Sequence, residues 1–266
     1  MAERTILHTI AEYAKIRVKE AKKECSLEEM KQKACNLPKD NDFPFEKALK
    51  TEGISFICEC KKASPSKGVI AEDFPYVEIA KQYEDAGASC ISVLTEPKWF
   101  LGKDQYLKEI TETVKIPCLR KDFVVDEYMI YQAKTLGASA VLLICSLLEQ
   151  ETIKRYISIC DSLGLSAVVE AHDEEEVRNA IGAGARIIGV NNRNLKDFTV
   201  NVHHCETLRS LVPESISFVA ESGIRTSEDM EALREMKVDA VLIGELLMRA
   251  EDKKQMLNDL RGIKIH

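Results

Sequence analysis

Six short stretches of this chain combine acids, bases and hydroxyls in a way that ordinary surface segments do not. The first is Ile57-Cys58-Glu59-Cys60-Lys61, where an apolar run is broken by an acid and a base two residues apart. On an extended strand that spacing puts Ile57, Glu59 and Lys61 on one face and both cysteines on the other. A carboxylate and an ammonium at the end of a buried strand are costly to desolvate unless they are paired or do chemistry. Leu119-Arg120-Lys121-Asp122-Phe123 supplies a second lysine, Val168-Val169-Glu170 a second acid, and Gly189-Val190-Asn191-Asn192-Arg193 an amide and a guanidinium. Ala220-Glu221-Ser222-Gly223 and Ile243-Gly244-Glu245 complete the set. Two lysines sharing one mouth should repel, and partial burial should lower the pKa of at least one towards neutrality, with Glu59 opposing the shift. Glu170, beside Val168 and Ala171, should hold its proton more readily than a surface acid. Such a set suits multi-step acid–base work on a phosphorylated, partly anionic substrate. The plainer readings are a surface lysine capping a helix at Lys121 and a salt bridge to the lysines at Glu170.

Ser222-Gly223 and Gly244-Glu245 also suit an anion. Backbone N–H groups in glycine-containing turns can approach a phosphate closely, and the Glu245 side chain can point away while its N–H points in. Pro65, Phe100, Phe123 and Leu143 or Ile144 are candidates for the walls of a slot that takes a flat ring. Ser64 and Ser66 add hydroxyls, and the loop through Gly68 reads as a flexible candidate lid.

Positioning all of these at one place needs a scaffold in which they end successive strands. Apolar runs at Ile54–Cys60, Cys90–Leu94, Ile116–Leu119, Ala140–Ile144, Ser166–Glu170, Ile187–Val190, Ser217–Ala220 and Ala240–Ile243 alternate with amphipathic stretches near 74–87, 104–114, 126–136, 149–162, 173–183, 203–211, 226–236 and 249–259. Continuous apolar strands mark a parallel sheet covered by helices. Gly87, Gly137, Gly164 and Gly184 stand where helices should stop. Eight such units predict an α/β fold, a (β/α)8 or TIM barrel, whose active residues lie at the C-terminal ends of the strands. An open doubly wound sheet is disfavoured because no G-x-G-x-x-G follows the first strand. Residues 1–48 read as a helical extension packed on the barrel, with Ser26 as a helix N-cap and the turn-rich Pro38–Pro44 closing it. We expect residues 1–266 to form one barrel domain.

Bulk properties narrow the class. With 37 basic and 44 acidic residues the net charge is −7, which argues against a general nucleic-acid or membrane surface. No apolar run approaches the length of a membrane span, and the N-terminus lacks the features of a signal peptide. The nine cysteines are scattered, include no C-x-x-C, and suit reduced thiols in a cytoplasm. His203-His204-Cys205 is the nearest approach to a metal cluster, but adjacent side chains diverge, so we expect no metal. We expect a cytoplasmic monomer, and no second barrel or amidotransferase fused to the chain.

These residues together closely resemble indole-3-glycerol phosphate synthases of tryptophan biosynthesis over about residues 5 to 260. The resemblance rests on Glu59-Cys60-Lys61-Lys62-Ala63-Ser64-Pro65-Ser66, Ser92-Val93-Leu94-Thr95-Glu96 and Leu119-Arg120-Lys121-Asp122-Phe123. It continues through Val169-Glu170, Asn191-Asn192-Arg193-Asn194-Leu195, Ala220-Glu221-Ser222-Gly223-Ile224 and Leu242-Ile243-Gly244-Glu245. It implies a carboxy-lyase without metal or organic cofactor, closing the indole ring of 1-(2-carboxyphenylamino)-1-deoxyribulose 5-phosphate with loss of CO2 and H2O. By resemblance Lys121 is the general acid on the ribulose carbonyl. Glu170 and Lys61 assist closure and dehydration, with Lys61 able to swing towards the phosphate, and Glu59 is the base candidate for the last proton. Asn191 orients the substrate, with Arg193 beside it. Ser222, Gly223, Gly244 and Glu245 match a phosphate cradle, and Ser64, Pro65, Phe100 and Phe123 a ring pocket. Glu59 and Lys61 are then not expected to act as a simple pair. Leu246 departs from the serine the family often carries after Gly-Glu, and Cys60 from a bulkier residue. Another phosphate-binding barrel enzyme, such as phosphoribosylanthranilate isomerase with its expected Cys/Asp pair, a Schiff-base aldolase using Lys121, and a non-catalytic phosphosugar-binding barrel are the alternatives.

Overall fold

Eight parallel strands close on themselves in a computed structural model that describes residues 5–193, 199 and 203–263. We number the barrel strands β1 (Ser55–Cys60), β2 (Cys90–Leu94), β3 (Cys118–Lys121), β4 (Ala140–Ile144), β5 (Ser166–Ala171), β6 (Ile187–Asn191), β7 (Ser217–Glu221) and β8 (Ala240–Ile243). Each pairs with its sequence neighbour, and β8 returns to β1 with Ser55 opposite Ala240 and Cys58 opposite Ile243. The expected (β/α)8 barrel with an N-terminal helical extension is therefore what the chain forms. The third strand lies two residues later than its apolar run suggested, because Arg120 and Lys121 continue the ladder as partners of Val93 and Leu94.

The strands read as unbroken apolar runs because both faces are buried, and alternation sorts their side chains. Ile57, Cys90, Leu119, Ala140, Leu142, Val168, Ile187, Val219, Ala240 and Leu242 fill the barrel interior. Cys58, Cys60, Val93, Val141, Leu143, Val169, Ile188 and Ala220 face the helices outside. Thus Ile57, Glu59 and Lys61 do share the inner side. Leu143, a candidate for the ring slot, belongs instead to the outer core, and Ile144 takes the inner position.

The extension comprises α1 (Ile6–Glu24), α2 (Leu27–Cys35) and α3 (Pro44–Leu49). Ser26 caps α2 through a reciprocal capping box with Glu29. Pro44 opens a helix rather than closing the extension, since its fixed φ and absent N–H suit the first helical turn. Phe45 and Leu49 of α3 plug the N-terminal end of the barrel, where Ser55 Oγ donates to the Ala48 carbonyl at 2.9 Å. Around the barrel follow α4 (Tyr76–Asp85), α5 (Asp104–Thr111), α6 (Tyr128–Thr135), α7 (Gln150–Leu163), α8 (Glu174–Gly182), α9 (His203–Arg209) and α10 (Ser227–Glu235). The last expected helix, 249–259, is two elements, α11 (Glu245–Arg249) and α12 (Lys253–Arg261), separated at Ala250 and reset by the Asp252 N-cap. Gly87, Gly137, Gly164 and Gly184 all adopt the left-handed backbone that ends these helices. The loop expected to be flexible after β1 is tied into a small antiparallel pair, Ala63–Ser64 with Gly68–Val69, and closed by the Ile70 N–H to the Lys62 carbonyl at 2.8 Å.

One polar cluster joins the extension to β3. Asp122, fully buried, accepts both arms of the Arg17 guanidinium of α1 at 2.6 and 3.1 Å, the Thr95 hydroxyl at 2.6 Å and the Phe123 N–H at 2.8 Å. Behind it the buried Arg120 donates to Thr95 Oγ1, the Met129 carbonyl and Asp104. Removing Arg17 would leave the buried Asp122 charge with the Arg120 guanidinium at 3.8 Å, Thr95 and the Phe123 N–H, and losing the bidentate partner of a buried charge costs a few kcal/mol. Arg17→Ala should therefore destabilise the protein by about 2–4 kcal/mol in urea unfolding. A loss below about 0.5 kcal/mol, the size of an exposed pair, would show that the clasp contributes little.

Candidate active site

At the C-terminal ends of the strands lies a cavity of about 480 Å³. Glu59, Lys61, Ser64, Pro65, Phe100, Lys121, Phe123, Glu170, Asn191, Arg193, Ser222, Gly223, Gly244 and Glu245 all line it. The strand-end rule thus brings these residues to one place, while Leu143 of the slot candidates lies outside it in the outer core. Asn194 and Leu195 of the Asn191–Leu195 motif, and the His203 and His204 side chains, lie outside the described residues; Cys205 is buried, with its Sγ 3.9 Å from the Val190 carbonyl.

Two acid–base groups face each other across the floor. On one side Lys121 Nζ donates to Glu221 Oε2 at 2.5 Å and to Glu170 Oε2 at 3.4 Å. On the other, Lys61 Nζ lies 2.7 Å from Glu59 Oε1, and Glu59 Oε2 accepts the Ser92 hydroxyl at 3.2 Å. Glu59 and Lys61 are therefore in direct contact, as their shared strand face predicts. The reason is geometric, since both project from the inner face of β1 at its end.

Electrostatics reverse two expectations. Lys121 is not depressed towards neutrality. Burial does disfavour its charge, but Glu221, Glu170 and Glu59 together outweigh it and raise its pKa above the ordinary lysine value. Glu170 does not keep its proton, because Lys121 and His172 overcome its desolvation and hold it well below the usual carboxylate range. The acid that does hold a proton is Glu221. Its burial is not offset, since Lys121 lowers its pKa less than desolvation, Glu170 and Glu59 together raise it, so it is pushed up to about 7. Among the described residues its buried Oε1 meets no hydrogen-bond partner. Residue order places Glu221 at its strand end without indicating a role for it. Gly189, opposite Glu170 in the ladder, was the available signal: a side chain there would collide with the Glu221 carboxylate.

Gly244 has a similar origin. A Cβ at this position would come within 2.6 Å of Glu59 Oε1 and 2.9 Å of Lys61 Nζ, so the glycine makes room for the ion pair of the adjacent strand. It also precedes α11, whose first residue is Glu245. The Glu245 side chain turns to Arg249 at 3.3 Å and Lys67 at 3.9 Å, as the anion reading requires. Leu246 is half-buried and lines the cavity. Ser222 and Gly223 are both left-handed, with φ of 68° and 86°, an unusual state for serine that is held by a buried neighbour. Asn192 donates to the Ser222 carbonyl at 3.1 Å and accepts the Cys205 N–H at 3.2 Å. Asn191 Oδ1 accepts the Arg193 N–H at 3.0 Å, which rigidifies the end of β6.

The apolar wall pairs Phe100 with Phe123, ring centroids 6.0 Å apart. The buried Glu96 carboxylate sets the Phe100 turn by accepting the N–H groups of Lys98, Trp99 and Phe100. Ile6, Leu7 and Ile10 of α1 close the same side, a contribution of the extension that periodicity alone does not reveal. Cys58 and Cys60 face outwards, and burial pushes both thiols above their ordinary range, so the strand offers no cysteine nucleophile or base at the mouth.

The comparisons with known proteins agree with one another. The family described as indole-3-glycerol phosphate synthase matches residues 7–260. An indole-3-glycerol phosphate synthase of Ruminiclostridium cellulolyticum is 59% identical over 257 residues, covering 97% of this chain and 99% of that protein. Proteins of the same description from Lachnoclostridium phytofermentans and Endomicrobium trichonymphae are 49% and 50% identical, each over at least 96% of this chain and 99% of their own length. Among solved structures, a 3-hexulose-6-phosphate synthase shares the fold at 13% identity, with a TM-score of 0.62 over 80% of this chain and 100% of that one.

The elevated Glu221 makes a pH prediction. The folded protein binds this proton more tightly than the unfolded chain, so stability falls as pH rises from about 4.5, the ordinary value, to about 7. Glu221→Gln removes that penalty. Relative to the variant, the parent should lose on the order of 2 kcal/mol between pH 4.5 and 8 in denaturant titrations. A difference that does not change with pH over this window would contradict the elevated acid.

Proposed function

The chain belongs to the indole-3-glycerol phosphate synthase family, and from that premise we propose how its own residues close the indole ring. The observation that carries the proposal is the Lys121 ammonium held between Glu170 and Glu221, facing a second pair, Lys61 and Glu59, across one cavity. The substrate is 1-(2-carboxyphenylamino)-1-deoxyribulose 5-phosphate. Its phosphate is held at Ser222-Gly223 and Gly244-Glu245, with Arg193 at the rim, and its carboxyphenyl ring lies against Pro65, Phe100 and Phe123 beside Ser64.

Closure needs a proton on the ribulose carbonyl oxygen as the ring carbon bearing the carboxylate attacks the carbonyl carbon. Lys121 supplies it, oriented by Glu170. Its raised pKa keeps it fully protonated before the step, and the developing alkoxide is the base that takes the proton. Glu221, titrating near 7, then returns a proton to the lysine through their hydrogen bond. Carbon dioxide leaves from the ring carbon, and its bonding electrons restore the aromatic ring. The hydroxyl on the former carbonyl carbon departs as water with a proton from Lys61, and Glu59 takes a proton from the neighbouring methylene to complete the indole. Asn191 fixes the backbone at the end of β6 and orients the substrate from that side. Cytoplasmic work on this small molecule is part of the same reading, supported by nine free cysteines and by the lack, among the described residues, of any helix long and apolar enough to cross a membrane.

Purified protein given the carboxyphenylamino substrate should release product with indole fluorescence. Lys121→Ala should lower kcat by about 10²- to 10⁴-fold with KM little changed, and a loss of tenfold or less would remove its role as acid. Ser222→Pro, which cannot adopt the left-handed backbone, should instead act mainly on KM through the phosphate. An unchanged KM would count against that cradle.

A further inference from the structure

One titratable side chain at the mouth has no part in the chemistry above. His172 follows β5, two residues after Glu170, and its imidazole lies between two carboxylates. Nε2 is 3.1 Å from Glu170 Oε1, and Nδ1 is 3.0 Å from Glu176 Oε2 at the start of α8. The arrangement is built rather than incidental. Ser146, in the short 3-10 turn after β4, donates to Glu176 Oε1 at 2.6 Å and lies 3.2 Å from the same ring nitrogen. The His172 N–H donates to Glu176 Oε2 at 2.7 Å, so Glu176 is anchored before it meets the ring. A neutral imidazole carries one N–H and can serve one carboxylate, so a carboxylate within 3.1 Å of each ring nitrogen favours the imidazolium.

We propose that His172 is a positioning residue for the ring closure: clamped by Glu176 and Ser146, it holds Glu170 ionised and aimed at Lys121, and so leaves Glu221 as the carboxyl that carries a proton. This rests on the reading of Glu170 given above. The two oxygens of Glu170 are taken from opposite sides, Oε1 by His172 and Oε2 by Lys121, which fixes the plane of the carboxylate. Without His172, Glu59, Glu170 and Glu221 would share two lysines, and like-charge repulsion would make Glu170 and Glu221 compete for one proton. The histidine breaks that near-equivalence from the loop after β5, without lining the cavity itself.

The charged and titratable groups around the ring agree with this state. Burial alone would lower the His172 pKa, but Glu170 and Glu176 outweigh it and carry it up to about 10. Glu176 in turn is held below the usual carboxylate range, with His172 and Ser146 overcoming its burial. The neighbouring Cys145 thiol is pushed up to about 12 by burial and by Glu176, Glu170 and Asp173, and so stays neutral. Lys121 faces Glu170 from β3 and Glu221 stands beyond it on β7.

Two measurements test the proposal independently of each other. In protein labelled with 15N-histidine, His172 should remain an imidazolium at about pH 8, above the ordinary value of 6.5; a ring that titrates near 6.5 overturns the clamp. In steady-state kinetics, His172→Gln keeps a donor but no charge. It should lower kcat by about 10- to 100-fold with KM within about twofold, and move the acidic limb of the kcat profile to higher pH. Glu176→Gln, which leaves the ring in place, should shift the limb the same way by less. A His172→Gln protein with parental kcat, or with an unmoved acidic limb, overturns the proposal. Acting through Glu170, His172→Gln should add no further loss on a Glu170→Gln background; an additive loss contradicts it. A Glu170→Gln protein as active as the parent overturns the role of Glu170 and this proposal with it. An inactive Glu170→Gln protein beside a fully active His172→Gln protein overturns this proposal alone.

Discussion

An ammonium buried among three carboxylates is the constraint on which the mouth of this barrel depends. Lys121 contacts Glu221 and Glu170 directly and feels Glu59 across the floor. Burying so many charges is costly, and their attraction offsets the cost only when geometry is tightly held. The result is asymmetric. Glu170, with Lys121 on one oxygen and His172 on the other, is firmly ionised, whereas Glu221, with Lys121 and two acids facing it, sits near neutrality. Two chemically identical side chains thus acquire different protonation states from their surroundings, one a fixed carboxylate and the other a carboxyl able to exchange its proton.

Holding that geometry is the work of residues that never reach the cavity floor. Alternation on β3 sends Lys121 inwards and Arg120 outwards, where it joins Thr95, Asp104 and Asp122. Arg17 ties the same cluster to α1, so the extension, the end of β3 and the Phe123 backbone move as one unit. On the opposite side, the glycines at 189 and 244 leave room for Glu221 and for the Glu59–Lys61 pair. Asn192 holds Ser222 in a backbone conformation that serine rarely adopts. Packing, hydrogen bonds and backbone strain are all directed to the C-terminal ends of the strands.

Much of this was legible from residue order. Apolar runs at regular spacing gave the eight strands, and the rule that chemistry sits at strand ends collected Glu59, Lys61, Lys121, Glu170 and Asn191 without coordinates. What could not be read was how the groups meet. Two lysines ending nearby strands suggest mutual repulsion, but each meets a carboxylate directly, and at Lys121 the expected depression is an elevation. Glu170 looks apolar-flanked because Val168 and Ala171 adjoin it in the chain, while the groups that govern it, Lys121 and His172, come from another strand and from the loop. Glu221 reads as one more strand-end acid until the Gly189 contact reveals which way it points. Such features depend on distances between strands, and periodicity along one strand carries no information about them.

In the proposed chemistry Lys121 enters the reaction as a fully charged ammonium, stabilised by carboxylates, and not as a lysine tuned towards neutrality. The most direct measurement is the Nζ resonance of Lys121, assigned by comparison with Lys121→Met, followed with pH in protein carrying 15N at the lysine side chain. The account predicts that Lys121 stays protonated to a pH at or above the ordinary lysine value of 10.5. Deprotonation well below that value, towards about pH 8, would contradict it and restore the picture of a neutral-range lysine acid.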